Sequence, residues 1–450
     1  VSRFPGRVAL LHSGLSQGQL RDEWERVQQG QADIVVGPRS ALFSPLQRPG
    51  LLILDEEHEW TYKQDDAAPR YHSREVARAL AGAEGAVLVL GSATPDVGTF
   101  FRAVSGDTQL LELPERISGT AGLPPVEIVD MRDELRSGNL HLFSRALQSA
   151  MADTLARHEQ VLLFLNRRGM ATLVQCRHCG HVFSCPRCSV ALAHHTVRAR
   201  LICHRCGYAT RIPESCPRCR SHSVRFLGVG TQRVVAEVEA LLPSARILRW
   251  DSDVPADVRG GSGLRDEVES GRIDIVVGTQ MVAKGHDFPG VTLVGVISAD
   301  VGLDIPDYRA SERAFQLISQ ASGRAGRGVR PGRVVLQTYE PDNYAIRSAA
   351  THDYRGFYEE EIRYRRETNY PPLSSMVRLV YSDVNEDRCR REAQRVHRML
   401  STVSASRDLR LTGPSPAFVH RLRGRYRWHL TLRGSDPSSV LADVKLPRGW

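Results

Sequence analysis

Short apolar runs recur through most of the chain, and many of them end in glycine or in small polar residues. Two of the runs lie in segments that resemble each other, Ala32–Ser40 (ADIVVGPRS) and Ile273–Met281 (IDIVVGTQM). Helical patterns lie between the runs, as at Ser73–Ala81 and Thr231–Leu242. Continuous apolar strands that alternate with helices indicate parallel sheets covered on both faces, so the sequence predicts an α/β fold. Further predicted strands are Leu51–Leu54, Ala86–Leu90, Val161–Leu165 and Arg333–Thr338.

The repetition predicts two similar α/β domains in tandem, with a cysteine-rich module inserted in the second. After residue 350 the pattern changes, because a charged helix at Tyr354–Arg366 leads into Asn369–Pro372 (NYPP) and then into alternating strands. Proline ends the helix there and marks a domain boundary. The predicted domains are 1–135, then 136–170 together with 227–350, the insert 171–226, and a small α+β domain at 351–450.

Within the last domain, the segment from Arg425 alternates between two kinds of side chain. Tyr426, Trp428, Leu430 and Leu432 are predicted to face one way, while Arg425, Arg427, His429 and Arg433 face the other. Such alternation indicates an amphipathic strand with a basic outer face. The basic face is either solvated or in contact with DNA.

The charge balance favours a polyanionic partner. The chain has a formal net charge of +9, and arginine dominates its basic residues. A basic surplus of this kind favours nucleic acid. The sequence has neither an apolar run of about 20 residues that would span a bilayer nor a secretory signal at its start. Nothing in the sequence therefore indicates a membrane-spanning or secreted protein.

Eight of the nine cysteines fall in four C-x-x-C pairs, which is the clearest chemical signal in the chain. Each pair grips one side of a tetrahedral ion, so eight thiolates predict two structural zinc ions. Spacing alone leaves open which pairs share a metal, although the short separations suggest that the two inner pairs share one ion and the two outer pairs the other. The predicted ligands are Cys176, Cys179, Cys185, Cys188, Cys203, Cys206, Cys216 and Cys219.

Three further motifs indicate a nucleotide hydrolase. Asp55 and Glu56 follow the apolar run LLIL, where the aspartate would orient Mg²⁺ and the glutamate would polarise the attacking water. The segment GSATP at 91–95 follows its own predicted strand. In QASGRAGR at 320–327, Arg324 and Arg327 are predicted to share a helical face and to reach the γ-phosphate of ATP.

Together these motifs resemble those of superfamily 2 helicases. The segments DEEH, WTYKQDDAAPRYHSRE at 60–75, GSATP, FLNRRG at 164–169, GTQMVAKGHDFP at 278–289 and QASGRAGR, with the eight-cysteine insert, resemble the PriA family, also called primosomal protein N′. The resemblance implies two RecA-like helicase domains, with the zinc module serving strand displacement and partner contact. It also implies an ATP-driven 3′→5′ DNA helicase that acts in replication restart on branched, forked or single-stranded DNA.

The resemblance assigns further roles by motif. It implies ATP and Mg²⁺ as cofactors, and as partners the primosome proteins, single-strand binding protein and the loader of the replicative helicase. It also implies a C-terminal domain that contacts DNA or partners, and a bacterial protein that is cytoplasmic and nucleoid-associated. The implied nucleotide-binding residues are Gly285, Asp287 and Gln320. The implied DNA-binding residues are Arg39, Ser40, Trp60, Tyr62, Lys63, Thr279 and Gln280.

One expected motif is missing, because no G-x-x-x-x-G-K-[ST] loop occurs in the sequence. Without that loop and its lysine the chain should bind ATP poorly and hydrolyse it very slowly. Since the chain starts at Val1, we expect a fragment that lacks this loop and an N-terminal DNA-binding region. The alternative is a nonhydrolytic, zinc-containing DNA-binding scaffold for primosome assembly.

Overall fold

The structure is a computed structural model, and its described residues form two compact units, Val1–Thr108 and Gln109–Trp450. The described residues are 3–12, 14–65, 68–113, 122–165, 172–176, 181–187, 191–195, 200–203, 206–222, 224–227, 230–251, 262–279, 288–303, 305, 307–326, 330–405, 407–447 and 449–450. None of the helices within these ranges is both long and apolar enough to cross a membrane.

The first unit contains four short strands and three helices. Strand β1 pairs with β2 and strand β3 pairs with β4, in both cases in parallel. The elements are β1 (Val8–Leu10), α1 (Gln17–Gln28), β2 (Ile34–Val36), β3 (Leu51–Leu54), α2 (Ser73–Glu84), β4 (Val87–Leu90) and α3 (Val97–Val104). A capping box at Ser16 and Gln19 starts α1, and Gly85, with φ 65°, ends α2.

The β3–β4 pair differs from the prediction that its apolar runs are covered on both faces. Helix α2 packs on this pair. Alternate strand residues nevertheless remain exposed, namely Leu51, Ile53, Val87 and Val89. The prediction of double coverage is therefore wrong for this pair among the described residues.

The second unit is built on a six-stranded sheet in which every neighbouring pair is parallel. Its strand order is β12-β13-β6-β14-β15-β5. The strands are β5 (Val126–Asp130), β6 (Gln160–Phe164), β12 (Ile247–Trp250), β13 (Ile275–Gly278), β14 (Val291–Val296) and β15 (Arg333–Thr338). Strands β6, β13 and β14 are buried along their whole length, as continuous apolar runs in a parallel sheet should be.

Helices connect and cover these strands. Leu147 and Met151 of α5 and Val234 and Val238 of α6 pack into one core with residues of the central strands. The helices are α4 (Met131–Arg136), α5 (Arg145–Ala156), α6 (Thr231–Leu241), α7 (Ser262–Glu269), α8 (Ala310–Ser322), α9 (Tyr344–Ala350) and α10 (Tyr354–Glu367). Gly295 of β14 is required by close packing, since a Cβ there would lie 2.8 Å from Leu163 Cδ2.

The boundary predicted at residue 135 lies too late in the chain. Strand β5, which we placed in the first domain, pairs with β15 along Val126–Asp130 and so belongs to the second sheet. The two compact units divide at Thr108 instead. A five-residue strand carries no sign of which sheet it joins, because a neighbour distant in the chain decides its pairing.

The cysteine-rich insert and the C-terminal domain each form an antiparallel sheet. In the insert the strand order is β10-β9-β8-β7-β11, and in the C-terminal domain it is β16-β18-β17. The insert strands are β7 (Thr172–Cys176), β8 (Ala193–His195), β9 (Arg200–Ile202), β10 (Ala209–Arg211) and β11 (Val224–Leu227). The C-terminal elements are β16 (Ser375–Asp383), α11 (Glu386–Ala405), β17 (Arg410–Leu422), β18 (Arg425–Gly434) and α12 (Pro437–Asp443).

Candidate functional site

The carboxyl end of β3 presents two acidic side chains to solvent. Asp55 and Glu56 are exposed immediately after Leu54. Glu56 has φ 46°, a left-handed conformation that costs a non-glycine residue energy, and its N–H donates to Asp55 Oδ1 at 3.0 Å. The chain thus turns sharply at Glu56, and both carboxylates lie where a ligand has access.

The next strand holds this corner in place. Gly91, which follows β4, accepts a hydrogen bond from the Glu57 N–H at 3.0 Å and donates one to the Leu54 carbonyl at 2.9 Å. His58 is buried, and its Nδ1 lies 2.6 Å from Ser92 Oγ. The structure therefore joins DEEH to GSATP at the carboxyl ends of neighbouring parallel strands, where ligands of α/β sheets gather.

A buried ion cluster beside the corner was not predicted. Glu57 is 1% exposed, and its carboxylate accepts hydrogen bonds from Arg74 Nη1 at 2.7 Å, from the Asp96 N–H at 2.7 Å and from Thr99 Oγ1 at 3.0 Å. Arg74 also pairs with Asp96 at 2.9 Å. Burial raises the pKa of Glu57, while the charge of Arg74 opposes that shift. The cluster ties the corner to the starts of α2 and α3.

The aromatic segment after the corner is anchored to it. The Tyr62 hydroxyl donates to the Asp55 carbonyl at 2.8 Å, and burial followed by the charge of Asp55 raises the Tyr62 pKa. Arg39 Nη1 donates to the carbonyls of Thr61 at 2.8 Å and Lys63 at 3.1 Å. Trp60 is 41% exposed. The structure thus brings four predicted DNA-binding residues next to the acidic corner, and Arg39 also holds the segment.

Ser40, the fifth predicted DNA-binding residue of this unit, is exposed in the 3₁₀ turn Arg39–Phe43. In the second unit, Thr279 follows β13 and is buried, with 7% of its surface exposed. Several predicted residues lie outside the described residues, and their roles stay predictions. They are Gln280, Gly285, Asp287 and Arg327.

The QASGRAGR segment departs from the predicted helical face. Helix α8 ends at Ser322, so Gln320 lies in its last turn and Arg324 in the turns that follow. Gly326 has φ 66°, and a Cβ there would lie 2.3 Å from the Gly332 nitrogen. The placement of Arg324 on a helix is therefore wrong, because the glycines that let this segment pack closely also end the helix. Arg324 is buried, with 8% exposure.

Six described cysteines form two groups of three, with all sulfur atoms of a group within 4.8 Å of one another. Tetrahedral zinc with Zn–S bonds of about 2.3 Å places its sulfurs about 3.8 Å apart. In each group one Sγ–Sγ distance is 3.6 Å, between Cys176 and Cys219 and between Cys185 and Cys206. The groups are Cys176, Cys216 and Cys219, and Cys185, Cys203 and Cys206.

The local backbone explains why these thiols converge. The Cys203 carbonyl accepts the Gly207 N–H at 2.9 Å, and the Cys216 carbonyl accepts the Arg220 N–H at 2.8 Å. Gly207 and Arg220 both have positive φ, which closes each turn tightly. Because β7 pairs with β11, Cys176 is brought level with Val224, shortly after the Cys216 turn. Cys179 and Cys188 lie outside the described residues.

This grouping is the nested arrangement, in which the outer pairs share one ion and the inner pairs the other. The thiol geometry fits two zinc ions. Most described cysteines of the insert are buried, and the hydrophobic cluster around Val174, Leu192 and Leu201 includes Cys185 and Cys203. Such a closed environment is that of structural zinc.

The predicted basic strand forms as β18, and Trp428, Leu430 and Leu432 are buried on one side as expected. Arg433 was predicted on the exposed basic face but is 5% exposed. Its guanidinium carbon lies 4.1 Å from the centroid of the Tyr370 ring. The prediction is wrong at this position because the NYPP segment covers that end of the strand.

Two family models match parts of this chain. The Primosomal protein N C-terminal domain matches residues 366–445, and the PriA DNA helicase Cys-rich region (CRR) domain matches residues 185–211. A solved structure, RecG bound to a three-way DNA junction, has 15% identity and a TM-score of 0.41, covering 82% of this chain and 37% of its own. That similarity is too low to support an argument.

Curated relatives match nearly the whole chain. Replication restart protein PriA of Bacillus subtilis (strain 168) is 43% identical over 99% of this chain and 55% of its own length. The Synechocystis protein of the same name is 43% identical over 99% of this chain and 54% of its own length. The Treponema pallidum protein is 39% identical over 99% of this chain and 68% of its own length. The chain therefore spans little more than half the length of the first two relatives.

The six-stranded parallel sheet, the insert with its two thiol groups and the C-terminal antiparallel sheet define a multidomain α/β protein with an inserted zinc module. The predicted fold class is confirmed. Identity at this level over the whole chain narrows the class further. The chain belongs to the PriA family of replication restart proteins.

Proposed function

We propose that this chain carries the hydrolytic corner, the zinc module and DNA-contacting segments of an ATP-dependent 3′→5′ DNA helicase that acts in replication restart. The observation that carries the proposal is the difference in burial between the first two and the last two residues of DEEH, at 55–58. Asp55 and Glu56 are exposed, while Glu57 and His58 are buried and fix the corner against GSATP. Exposed carboxylates that are held in a fixed position by buried, hydrogen-bonded neighbours suit a hydrolytic site.

In this proposal the two exposed carboxylates have different tasks. Asp55 holds Mg²⁺, which takes oxygen ligands from one or two carboxylates and from substrate phosphates and neutralises charge on the phosphates when bound. Glu56 orients the attacking water and accepts its proton. Gln320, Arg324 and Arg327, with Gly285 and Asp287, are the proposed ATP contacts of the second unit.

The DNA contacts are proposed on the residues beside the corner. Trp60 offers an exposed ring on which a base stacks, and Lys63 with Tyr62 lies in the same segment. Thr279, Gln280, Arg39 and Ser40 are proposed contacts to the backbone of the strand. We propose forked and single-stranded DNA as ligands, and primosome proteins, single-strand binding protein and the replicative helicase loader as partners.

The hydrolytic role is tested by DNA-stimulated ATPase assays on two polypeptides. The 450-residue chain is expected to show no turnover above background, because it has no G-x-x-x-x-G-K-[ST] loop. The product of the complete reading frame that contains these residues is expected to hydrolyse ATP when DNA is present. In that product, Glu56→Gln should lower turnover about a hundredfold, since it removes the proton acceptor.

Glu84→Gln is the matched control for that assay, because Glu84 is an exposed acid of the same unit in the last turn of α2. Equal losses in the two variants would contradict the role of Glu56. Robust turnover by the 450-residue chain would refute the need for the loop. A reading frame without such a loop favours the second candidate function, a nonhydrolytic zinc-containing DNA-binding scaffold.

Trp60→Ala is expected to weaken binding of single-stranded DNA by about 1–3 kcal/mol, the usual contribution of one base stacked on an aromatic ring. Fluorescence anisotropy of a labelled oligonucleotide measures this loss. Trp24→Ala is the control, because Trp24 is 37% exposed and lies on α1 of the same unit. A similar loss of affinity in both variants would show that Trp60 has no specific contact.

A further inference from the structure

The solvent face of α11 carries a row of arginines. Four of them lie within an arc of about 80° when the helix is projected at about 100° per residue. All four are exposed, and they are Arg388, Arg391, Arg395 and Arg398. The opposite side of the helix packs on the sheet and is buried at Cys389, Ala393, Val396 and Leu400. The row therefore points away from the domain core.

Neighbouring acids neutralise only part of this row. Arg388 lies 3.5 Å from Asp383, and Arg395 pairs with Glu392 at 2.9 Å. Both pairs are largely exposed on the arginine side, so each contributes little to stability. For Arg391 and Arg398, no ion pair is found within the part of the chain that the structure describes.

The row places like charges close together on one helix. Arg388 and Arg391 are three residues apart, Arg391 and Arg395 four, and Arg395 and Arg398 three. Like charges four residues apart, such as Arg391 and Arg395, destabilise a helix by about 0.2–0.5 kcal/mol. Asp387, four residues before Arg391, and Glu392, four residues after Arg388, offset part of this repulsion. Since Arg391 and Arg398 are exposed and have no ion pair among the described residues, their guanidinium groups are accessible to an anion outside the chain.

A second group of exposed arginines lies on the β17–β18 hairpin, near the start of α11. Glu386, at the start of α11, lies 3.3 Å from His420 Nε2 of β17. The β17–β18 hairpin that follows turns at Arg423 and Gly424, which both have positive φ. Its exposed side chains include Arg421, Arg423 and Arg425. The start of the helix thus contacts β17 just before the hairpin tip, and the tip adds three exposed arginines at this end of the domain.

We propose that the arginine row of α11 contacts the sugar-phosphate backbone of a nucleic acid strand. Successive arginines are spaced by about 4.5, 6 and 4.5 Å along the helix axis, and each guanidinium presents paired donors that suit phosphate oxygens. A protein partner fits less well, because protein interfaces centre on apolar and aromatic anchors. The row has only Met399, 38% exposed, as an apolar neighbour on the helix. The proposal rests on the DNA-binding function proposed above.

The test measures how binding of an oligonucleotide by the 450-residue chain depends on salt. Each phosphate contact contributes about −0.7 to the slope of log K against log salt for single strands and about −0.9 for duplex. Arg391→Gln with Arg398→Gln should therefore make the slope less steep by about 1.4 on single-stranded DNA or about 1.8 on duplex. At 0.1 M salt the single-strand affinity should fall about 25-fold.

Two matched variants control for charge and for folding. Arg272→Gln with Arg347→Gln removes the same charge from two exposed arginines that lie outside α11 and have no ion pair among the described residues, and it should leave the slope unchanged. Arg391→Lys with Arg398→Lys keeps the charge, so the slope of log K against log salt should stay close to that of the parent chain. Thermal unfolding of the Gln variant should occur at nearly the same temperature as that of the parent, because both substituted side chains are exposed.

The outcomes separate this inference from the proposed function. If the parent chain binds neither single-stranded nor duplex DNA, the proposed DNA-binding function itself fails. If the parent binds and the α11 variant keeps the full slope, the α11 contact is overturned while the function stands. Equal slope changes in the α11 and control variants would also overturn it, since they would reflect net charge alone. Loss of binding to an acidic protein with an unchanged DNA slope would overturn it in favour of a protein partner.

Discussion

Replacing Cys185 and Cys203 together with serine is expected to lower the zinc content from two ions per chain to one. The two thiols belong to the same described group, so the double variant damages a single site. Replacing Cys203 and Cys216 together should remove both ions, because these thiols belong to different groups. Elemental analysis after dialysis against a chelator measures both results.

These two double variants distinguish the nested arrangement from a sequential one. If the first two C-x-x-C pairs shared one ion and the last two shared the other, the zinc losses would be reversed. Cys203 and Cys216 would then damage one site, whereas Cys185 and Cys203 would damage two. One zinc remaining in the Cys203 and Cys216 variant would therefore contradict the nesting.

Loss of an ion should also unfold part of the insert. Structural zinc in small modules contributes about 10–16 kcal/mol of binding free energy, which is folding free energy for the surrounding turns. The strands of the insert are short, so the insert has few other interactions to hold it. Limited proteolysis should then cleave within 171–226 while the six-stranded sheet stays resistant.

Cys389→Ser is the matched control for the zinc series. Cys389 is buried in α11, where its thiol lies 3.3 Å from the Tyr426 carbonyl, and it belongs to neither of the described cysteine groups. A serine hydroxyl also donates to that carbonyl, so the variant should fold and keep both ions. Loss of zinc from this variant would show that the assay reports general instability.

Local patterns were sufficient to predict several of the strands and the position of the acidic corner. Arg333–Thr338 was predicted as a strand with the bounds that β15 has, because a continuous apolar run between turn residues identifies a buried strand directly. The corner at Asp55 and Glu56 was found the same way, since parallel strands place their following residues at one edge. The thiol groups followed from spacing and separation in the chain.

Long-range pairing explains what the sequence did not reveal. Glu57 and Arg74 are 17 residues apart, and nothing in either neighbourhood marks them as partners. Arg433 follows the alternation of its strand but is covered by Tyr370, a residue of a distant segment. Strand alternation predicts which side a residue takes, and only the tertiary fold decides whether that side is exposed.

A second unpredicted ion cluster lies between α8 and α10, and it leads to the last prediction. Arg365 of α10 donates to Glu361 at 2.7 Å, to Glu312 of α8 at 2.8 Å and to the Pro371 carbonyl at 3.1 Å. The side chains of these three charged residues are at most 3% exposed. The Tyr344 hydroxyl donates to Glu361, and burial together with the charge of Glu361 raises the Tyr344 pKa.

Arg365→Met is expected to lower the free energy of unfolding by about 3–5 kcal/mol, because it leaves Glu361 and Glu312 buried without their cation. The denaturant midpoint of the second unit measures the loss. Arg363→Met is the control on the same helix, since Arg363 is exposed and its one ion pair among the described residues is with Glu360 at 3.1 Å. Its effect should stay within about 0.5 kcal/mol.

A triple variant distinguishes two causes of the stability loss in Arg365→Met, the unpaired buried carboxylates and the lost packing of the arginine side chain. Arg365→Met combined with Glu361→Leu and Glu312→Leu removes the cation and both anions, and an apolar replacement of a whole buried ion cluster is often neutral or stabilising. We expect the triple variant to recover most of the stability that Arg365→Met loses. If it is as unstable as the single variant, the packing of Arg365 over the Tyr308 ring, 5.1 Å from its centroid, is the larger contribution. If Arg365→Met lowers the free energy of unfolding as little as Arg363→Met does, the cluster does not hold α8 to α10.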